Sequence, residues 1–394
     1  MVRNNRPFFA IYASRLVYAI NWFTIAPALI FIQEQINVSP FDLGLIASAF
    51  FIGLMPFQIL GGLIALRISP RILAISGMTL IGICSILSGI SDSFLQLFFV
   101  RVFLGIGSAI FSSPALSLLS TGDTEHISRR VGYYNALFSI GSGISIVVWS
   151  LFDPVYGWRI SMYSTGILSL MCSVPLILYT EITKIEILSN VSVKNIFSTL
   201  RDGKRWMLGF SSAIAPLSET VLGQFFIYYS EKPHILSQFN SGLALSIYFI
   251  TGFIGGIIYG RFYGKSVHRT IIYFITTISC SLLFITLSFL MSNYLILTVL
   301  WSIGFLTSAI LSMLYYDVVK LENRSNYLTF SLGFNNFMQK IISITSPVIF
   351  IFIAIQISYS EAWLVLGLSG LVLTFLYPGL YGRFSGKNEF VSTA

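Results

Sequence analysis

Four residues of this sequence have the types and settings that could do chemistry: Arg15, Arg101, Glu219 and Lys340. Each lies inside an otherwise apolar stretch of about 20 residues, the length a helix needs to cross the hydrocarbon of a bilayer. A charge at that depth costs roughly 2.5–3.5 kcal/mol or more, so it usually faces water, a partner or a ligand. A guanidinium forks onto a carboxylate or phosphate, and an ammonium attracts either as a point charge. Low dielectric disfavours the charged form of a carboxylate, which lets such a group load and release a proton. Three of the four charges are positive. The balance points to an anion.

Their neighbours extend the pattern. Tyr18 and Trp22 follow Arg15 at i+3 and i+7 and share its helical face, with Asn21 close by. Asn335, Asn336, Gln339 and Ser343 surround Lys340 as a polar stripe in a spanning helix. Each residue also has a bland reading. Arg15 can snorkel to headgroups. Arg101 can hydrogen-bond the backbone of the first span, and Lys340 can pair permanently with Glu219. A permanent pair would hold Glu219 ionised and deprive it of a coupling role.

The elements that must position these residues are spanning helices. Of the 394 residues, 55% are hydrophobic and 10% charged, where soluble domains carry about 25% charge. Twelve spans are predicted near 8–32, 41–66, 72–90, 94–119, 131–152, 159–180, 206–229, 240–263, 270–291, 294–316, 327–354 and 362–381. Loops are short except for a charged linker over 181–205. The predicted organisation is an N-terminal six-helix bundle (1–180), this linker, and a C-terminal six-helix bundle with a short tail (206–394).

With the N-terminus inside, 18 of the 23 basic residues fall on the cytoplasmic side. The positive-inside rule therefore predicts both termini in the cytoplasm. The net charge of +8 has the same origin and does not call for nucleic acid. Phe8 to Phe31 is long enough to span, and no small-residue cleavage site follows, so the first span is expected to stay. Cys84, Cys172 and Cys280 all fall in apolar stretches and read as small hydrophobes. His126, His234 and His268 are predicted in loops. No metal or cofactor is expected. Gly264-Lys265-Ser266 lacks the earlier glycine and the strand of a phosphate-binding loop.

The halves repeat. Shifted by 198, Leu43–Arg71 aligns with Ser241–Arg269 without a gap, and Gly44, Leu45, Ser48, Phe51, Ile52, Ile59, Gly62 and Arg71 meet identical residues. A shift of 200 puts Ser108-Ala109-Ile110 on Ser308-Ala309-Ile310 and Asn135 on Asn335. Transporters are commonly built from such internal repeats. The mate of Arg101 is Trp301 and that of Glu219 is Asn21, so these charges belong to one half only.

At these residues the whole chain resembles the major facilitator superfamily. Gly62-Leu63-Ile64-Ala65-Leu66-Arg67-Ile68-Ser69-Pro70-Arg71 is similar to the family's loop signature between spans 2 and 3. It keeps the first glycine, the alanine, the middle arginine and the last basic residue. Leu66 replaces the signature aspartate, and Gly264 replaces it in the second half. The resemblance implies a gating role for Gly62, Arg67, Arg71, Lys265 and Arg269, with a cytoplasmic latch that must work without that aspartate. Arg101-x-x-x-Gly105-x-Gly107-x-Ala109 is similar to the basic motif of the family's fourth span, and Gly157-Trp158-Arg159 to its turn before the sixth. Arg15 with Arg101 is similar to organic-anion symporters, which often carry an acid where this chain has Ser108. Gly141 and Gly143 occur in span 5 without the Gly-Pro pair of many drug antiporters.

The sequence thus predicts an all-α, twelve-helix secondary transporter working by alternating access, with a midplane site between its bundles. Arg15, Tyr18, Asn21, Trp22, Arg101, Trp301, Asn336, Gln339 and Lys340 are the expected substrate contacts, and Glu219 the proton carrier. The expected substrate is a small organic anion, a carboxylate or sugar acid, moved with protons. The alternative is a multidrug or hydrophobic-cation proton antiporter, favoured by the abundant Phe and Tyr. No catalytic group is visible. A monomer in the plasma membrane, with lipid, protons and a small molecule as its partners, is expected.

Overall fold

A computed structural model describes residues 6–64, 68–119, 127–180, 200–231, 236–289, 293–321 and 328–379. All regular structure among them is helical. Span 1 comprises Arg6–Phe23 and Ile25–Ile36, span 2 Pro40–Ile64, span 3 Pro70–Ile90 and span 4 Phe94–Leu119. Span 5 is Ile127–Tyr156 and span 6 Trp158–Tyr179. Span 7 is a broken run from Gly203 to Glu231. Spans 8 to 12 are Gln238–Phe262, Arg269–Leu287, Asn293–Leu321, Leu328–Gln356 and Tyr359–Thr374. Among the described residues ten of these runs, Arg6–Ile36 counted as one, are long and apolar enough to cross a membrane, and Tyr359–Thr374 is a shorter apolar helix. The protein is a multi-pass membrane protein.

Local sequence explains the starts. Before span 2 the Ser39 hydroxyl accepts from Asp42 N (3.1 Å), and the Asp42 carboxylate accepts from Ser39 N (2.9 Å). This reciprocal cap stands just ahead of Pro40, a residue that suits a first helical turn. Its repeat mate opens span 8, where Ser237 Oγ accepts from Asn240 N at 3.4 Å. Asp202 caps span 7 by accepting from Lys204 N (3.1 Å). That helix therefore begins inside the predicted linker and carries Arg205 into a buried position. Residues 181–199 of the linker lie outside the described residues.

Spans 1 and 7 are both discontinuous. In span 1, Ser14, Asn21 and Thr24 each bond back to the carbonyl four residues earlier, at 2.8, 3.0 and 2.6 Å, an arrangement that bends helices. Pro27 then removes an N–H, and the helix breaks at Thr24. In span 7, Ser211 and Ser212 bond back to Leu208 and Gly209 (2.8 Å each). Pro216 follows, and Ser218–Leu222 forms a π-helical turn. Such turns are frequent at functional sites.

The chain divides into two compact units. The first comprises residues 1–190 and 223–249, the second 191–222 and 250–394. Packing thus assigns the C-terminal part of span 7 and the start of span 8 to the first unit, a different division from the repeat in the sequence. In the first unit, span 4 packs on spans 2 and 3, span 3 on span 6, and span 1 on spans 5 and 6. Backbones touch where spans 2 and 4 cross. A Cβ at Gly53 would overlap Val102 O, and one at Gly105 would overlap Phe50 O. In the second unit, span 9 packs on spans 10 and 12, and span 11 on span 12 and the beginning of span 7. Large apolar side chains such as Ile90, Phe99, Leu178, Phe262 and Val372 are exposed on the helices, as a lipid-facing surface requires.

Candidate functional site

The expected site residues fall into two groups, one in each unit. In the first unit Arg15 is half-buried in an aromatic cage. Its guanidinium carbon lies 4.8, 4.3 and 4.6 Å from the ring centres of Tyr18, Tyr134 and Phe138. Its Nε donates to Tyr134 O at 3.4 Å. Ring faces attract a cation by their quadrupole, and this cage holds the charge without an acidic partner among the described ion pairs. Sequence spacing anticipated Tyr18. Tyr134 and Phe138, on span 5, carried no sequence signal that would link them to Arg15.

Arg101 is 1% exposed, and its guanidinium lies over the Phe50 ring at 5.2 Å. Nε and Nη2 have no hydrogen-bond partner among the described residues. No hydrogen bond from Arg101 to the backbone of span 1 is present among the described residues. Trp22 packs into the same aromatic layer, 4.7 Å from Phe50 and 5.6 Å from Phe138. Asn21 serves helix packing. Its Nδ2 donates to Val17 O, Thr165 O and Ser169 Oγ at 3.0, 3.3 and 2.7 Å, which ties span 1 to span 6.

In the second unit, Lys340 Nζ stands 3.5 Å from Glu219 Oε2, with side-chain exposures of 7% and 16%. Glu219 sits within the π-helical turn. The flanking hydroxyls join the same elements. Thr220 donates to Ser343 (3.0 Å), and Thr307 to Ser218 (3.0 Å). Gln339 is buried and its Nε2 has no partner among the described residues. Asn336 Oδ1 accepts from Tyr315 OH at 2.7 Å. Asn335 belongs to a different place, a small cavity lined also by Arg205, Ser331 and Met338. Trp301 is half-buried on span 10 and accepts from Thr251 through its carbonyl at 2.9 Å.

The residues expected to act in gating are described in part. Gly62 lies in the last turn of span 2, and Arg67 lies outside the described residues. Arg71 donates to Ile177 O at the end of span 6. Arg269 donates to Gly264 O (2.7 Å) and lies over the Tyr316 ring at 5.2 Å. Lys265 is exposed.

Two buried acids escaped the sequence reading, Asp153 on span 5 and Asp317 on span 10, each 2% exposed. The predicted ends, 152 and 316, each stop one residue short of the acid. The helices run on to Tyr156 and Leu321 and carry these carboxyls inside. Glu219 is thus joined by two further acids inside the spans. Asp317 Oδ2 accepts from both Tyr263 OH (2.9 Å) and Tyr377 OH (2.8 Å), and the Tyr377 ring stacks on Tyr273 at 4.0 Å. This clamp lies beside Gly264, where the signature aspartate is missing.

Comparison with known proteins agrees with this architecture. The sequence profile of the Major Facilitator Superfamily matches residues 11–347. The chain is 24% identical over 152 residues to a probable L-galactonate transporter of Escherichia coli (strain K12), covering 38% of this chain and 34% of that protein. It is 25% identical over 146 residues to a hexuronate transporter of Bacillus subtilis (strain 168), covering 36% and 34%. The matched stretch thus spans about a third of these relatives' length. A bacterial homologue of the human lysosomal transporter Spinster, solved inward-facing and unoccupied, superposes with a TM-score of 0.70 at 15% identity, covering 100% of both chains. A twelve-helix fold with two discontinuous spans, a profile match over most of the sequence and this structural likeness lead to one assignment: the chain belongs to the Major Facilitator Superfamily of membrane transporters.

Proposed function

We propose that this transporter carries a small organic anion, a sugar acid or related carboxylate, by alternating access and with a proton. The observation that carries the reading is Arg101, a fully buried guanidinium with two nitrogens unpartnered among the described residues. A buried charge in that condition is costly unless something anionic meets it. Arg15 adds a second cation, held by rings, with no carboxylate among its contacts. The relatives named for L-galactonate and hexuronate support the same class. Asn336, Gln339 and Tyr315 supply donors and acceptors suited to the hydroxyls of such a substrate.

Coupling works through Glu219 and Lys340. The substrate carboxylate competes with Glu219 for the ammonium. Once displaced, Glu219 is left in a low-dielectric setting and takes up a proton. Release of the substrate returns Lys340 to Glu219 and expels the proton. Both termini are cytoplasmic, the membrane is the plasma membrane, and the working unit is a monomer of two six-helix halves, gated by Gly62, Arg67, Arg71, Lys265 and Arg269.

A thermal-shift screen of purified protein tests the substrate class, because a ligand that prefers the folded state raises apparent stability. Aldonic and uronic acids are expected to raise the melting temperature, and neutral sugars and lipophilic cations to leave it unchanged. Stabilisation by cationic drugs alone would favour an antiporter.

A further inference from the structure

The end of span 8, the start of span 9 and the end of span 10 gather cations that the substrate site does not use. The Tyr316 ring of span 10 carries two of them. The Arg269 guanidinium lies over it at 5.2 Å and the Lys320 ammonium at 5.8 Å. Lys265, between spans 8 and 9, is exposed. Local packing fixes the group. Gly264 has no side chain, and a Cβ there would lie 2.7 Å from Tyr316 Cε2, so the ring seats against the turn. Gly264 O accepts from Arg269 Nη2 at 2.7 Å and from Tyr316 OH at 3.4 Å. Tyr263 packs edge-on to the same ring at 5.6 Å.

No acid balances these charges among the described residues. Arg269, Lys320 and Lys265 take part in none of the described ion pairs. Asp317 is within electrostatic reach of Arg269, but it is buried and accepts from Tyr263 and Tyr377. It offsets one of the three charges at most. Glu322 lies outside the described residues. A ring quadrupole attracts each cation without neutralising it, and like charges on one ring repel each other. An anion that meets both relieves the repulsion.

The rim indicates which anion. Phe262, Val267 and Val319 are 67, 81 and 44% exposed. Spans 8 and 10 end here and span 9 begins, so the helices leave the hydrocarbon at this level. Exposed apolar side chains next to cations at helix ends suit acyl chains next to charged headgroups. A free inorganic anion would leave that rim in water.

We propose that this corner of spans 8, 9 and 10 binds the headgroup phosphate of an anionic phospholipid between Arg269 and Lys320. Lys265 stands beside the headgroup, and the acyl chains lie against the apolar rim. In the proposed orientation the lipid belongs to the cytoplasmic leaflet. The inference rests on neither the substrate nor the role of Glu219.

Native mass spectrometry of the full chain in detergent, titrated with phosphatidylglycerol or phosphatidylcholine, counts bound lipids and gives their dissociation constants. The parent should hold one phosphatidylglycerol more tightly than phosphatidylcholine, with a preference that shrinks as salt rises. Lys320→Gln and Arg269→Gln should each weaken phosphatidylglycerol about fivefold, the effect of one basic residue near an anionic headgroup, and leave phosphatidylcholine unchanged. Lys320 is exposed, so its variant gives the answer if Arg269→Gln does not fold. Arg6→Gln removes an exposed arginine at the start of span 1 and should change neither affinity. Equal affinity of the parent for the two lipids, the parent's affinity in Lys320→Gln, or an equal loss in Arg6→Gln would overturn the proposal. So would displacement of the lipid by inorganic phosphate at an ionic strength where chloride does not displace it.

Discussion

Glu219 and Lys340 form the one ion pair among the described residues that joins spans 7 and 11, at 3.5 Å, and Glu219 sits where span 7 becomes π-helical. The distance is at the long end for a charge-assisted contact, which ordinarily closes to about 2.7–2.9 Å. In the proposed cycle this carboxylate is partnered in one state and released in the other. A proton carrier needs both conditions in turn.

Glu219→Gln mimics the protonated acid. It should still exchange substrate for substrate across liposomes and fail to concentrate substrate under a pH gradient. Accumulation equal to the parent's would remove Glu219 from the coupling step.

Lys340→Met leaves a carboxylate without its cation and should cost on the order of 3 kcal/mol of stability. Adding Glu219→Gln should restore most of that loss. Chemical denaturation of the single and double variants measures the recovery, and additive losses would show that the two side chains do not interact.

Arg15→Lys keeps the charge but loses the planar fork and its stacking on Tyr134 and Phe138. Anion affinity should fall about tenfold, equivalent to about 1.4 kcal/mol. Isothermal titration with a bound sugar acid reads this, and unchanged affinity would assign Arg15 to the headgroup region.

Tyr263→Phe and Tyr377→Phe each deprive Asp317 of one donor, at a cost of about 1–3 kcal/mol. The double variant leaves the carboxylate without either tyrosine and should lose more than the two single losses combined. Thermal unfolding in detergent compares the three. A double variant as stable as the parent would mean that Asp317 does not depend on the clamp.

Much of this was legible in the sequence because bilayer physics is demanding. Spans of about 20 apolar residues and intramembrane charges are strong signals, and the helices follow the predicted spans to within about five residues except the last, which ends at Thr374 rather than at 381. Small boundary errors mattered most at the acids. Asp153 and Asp317 fell one residue outside the predicted spans and were read as loop, although both are buried. The aromatic cage of Arg15 depends on span 5 meeting span 1, a tertiary contact with no local pattern. The π-helical turn at Glu219 was equally hidden, since Pro216 and paired serines predict a break but not its form. The polar stripe on span 11 was partly misleading. Asn335 shares its helix with Lys340 yet lines a cavity with Arg205.

The central claim is proton-linked carriage of an organic anion, and uptake into proteoliposomes tests it most directly. Radiolabelled hexuronate or aldonate is supplied outside and the interior is buffered at higher pH. The account predicts accumulation above the outside concentration, collapse on adding a protonophore, competition by other sugar acids and loss in Arg101→Met. Uptake that ignores the pH gradient and the arginine, or efflux of a lipophilic cation in exchange for protons with no sugar-acid uptake, would contradict it.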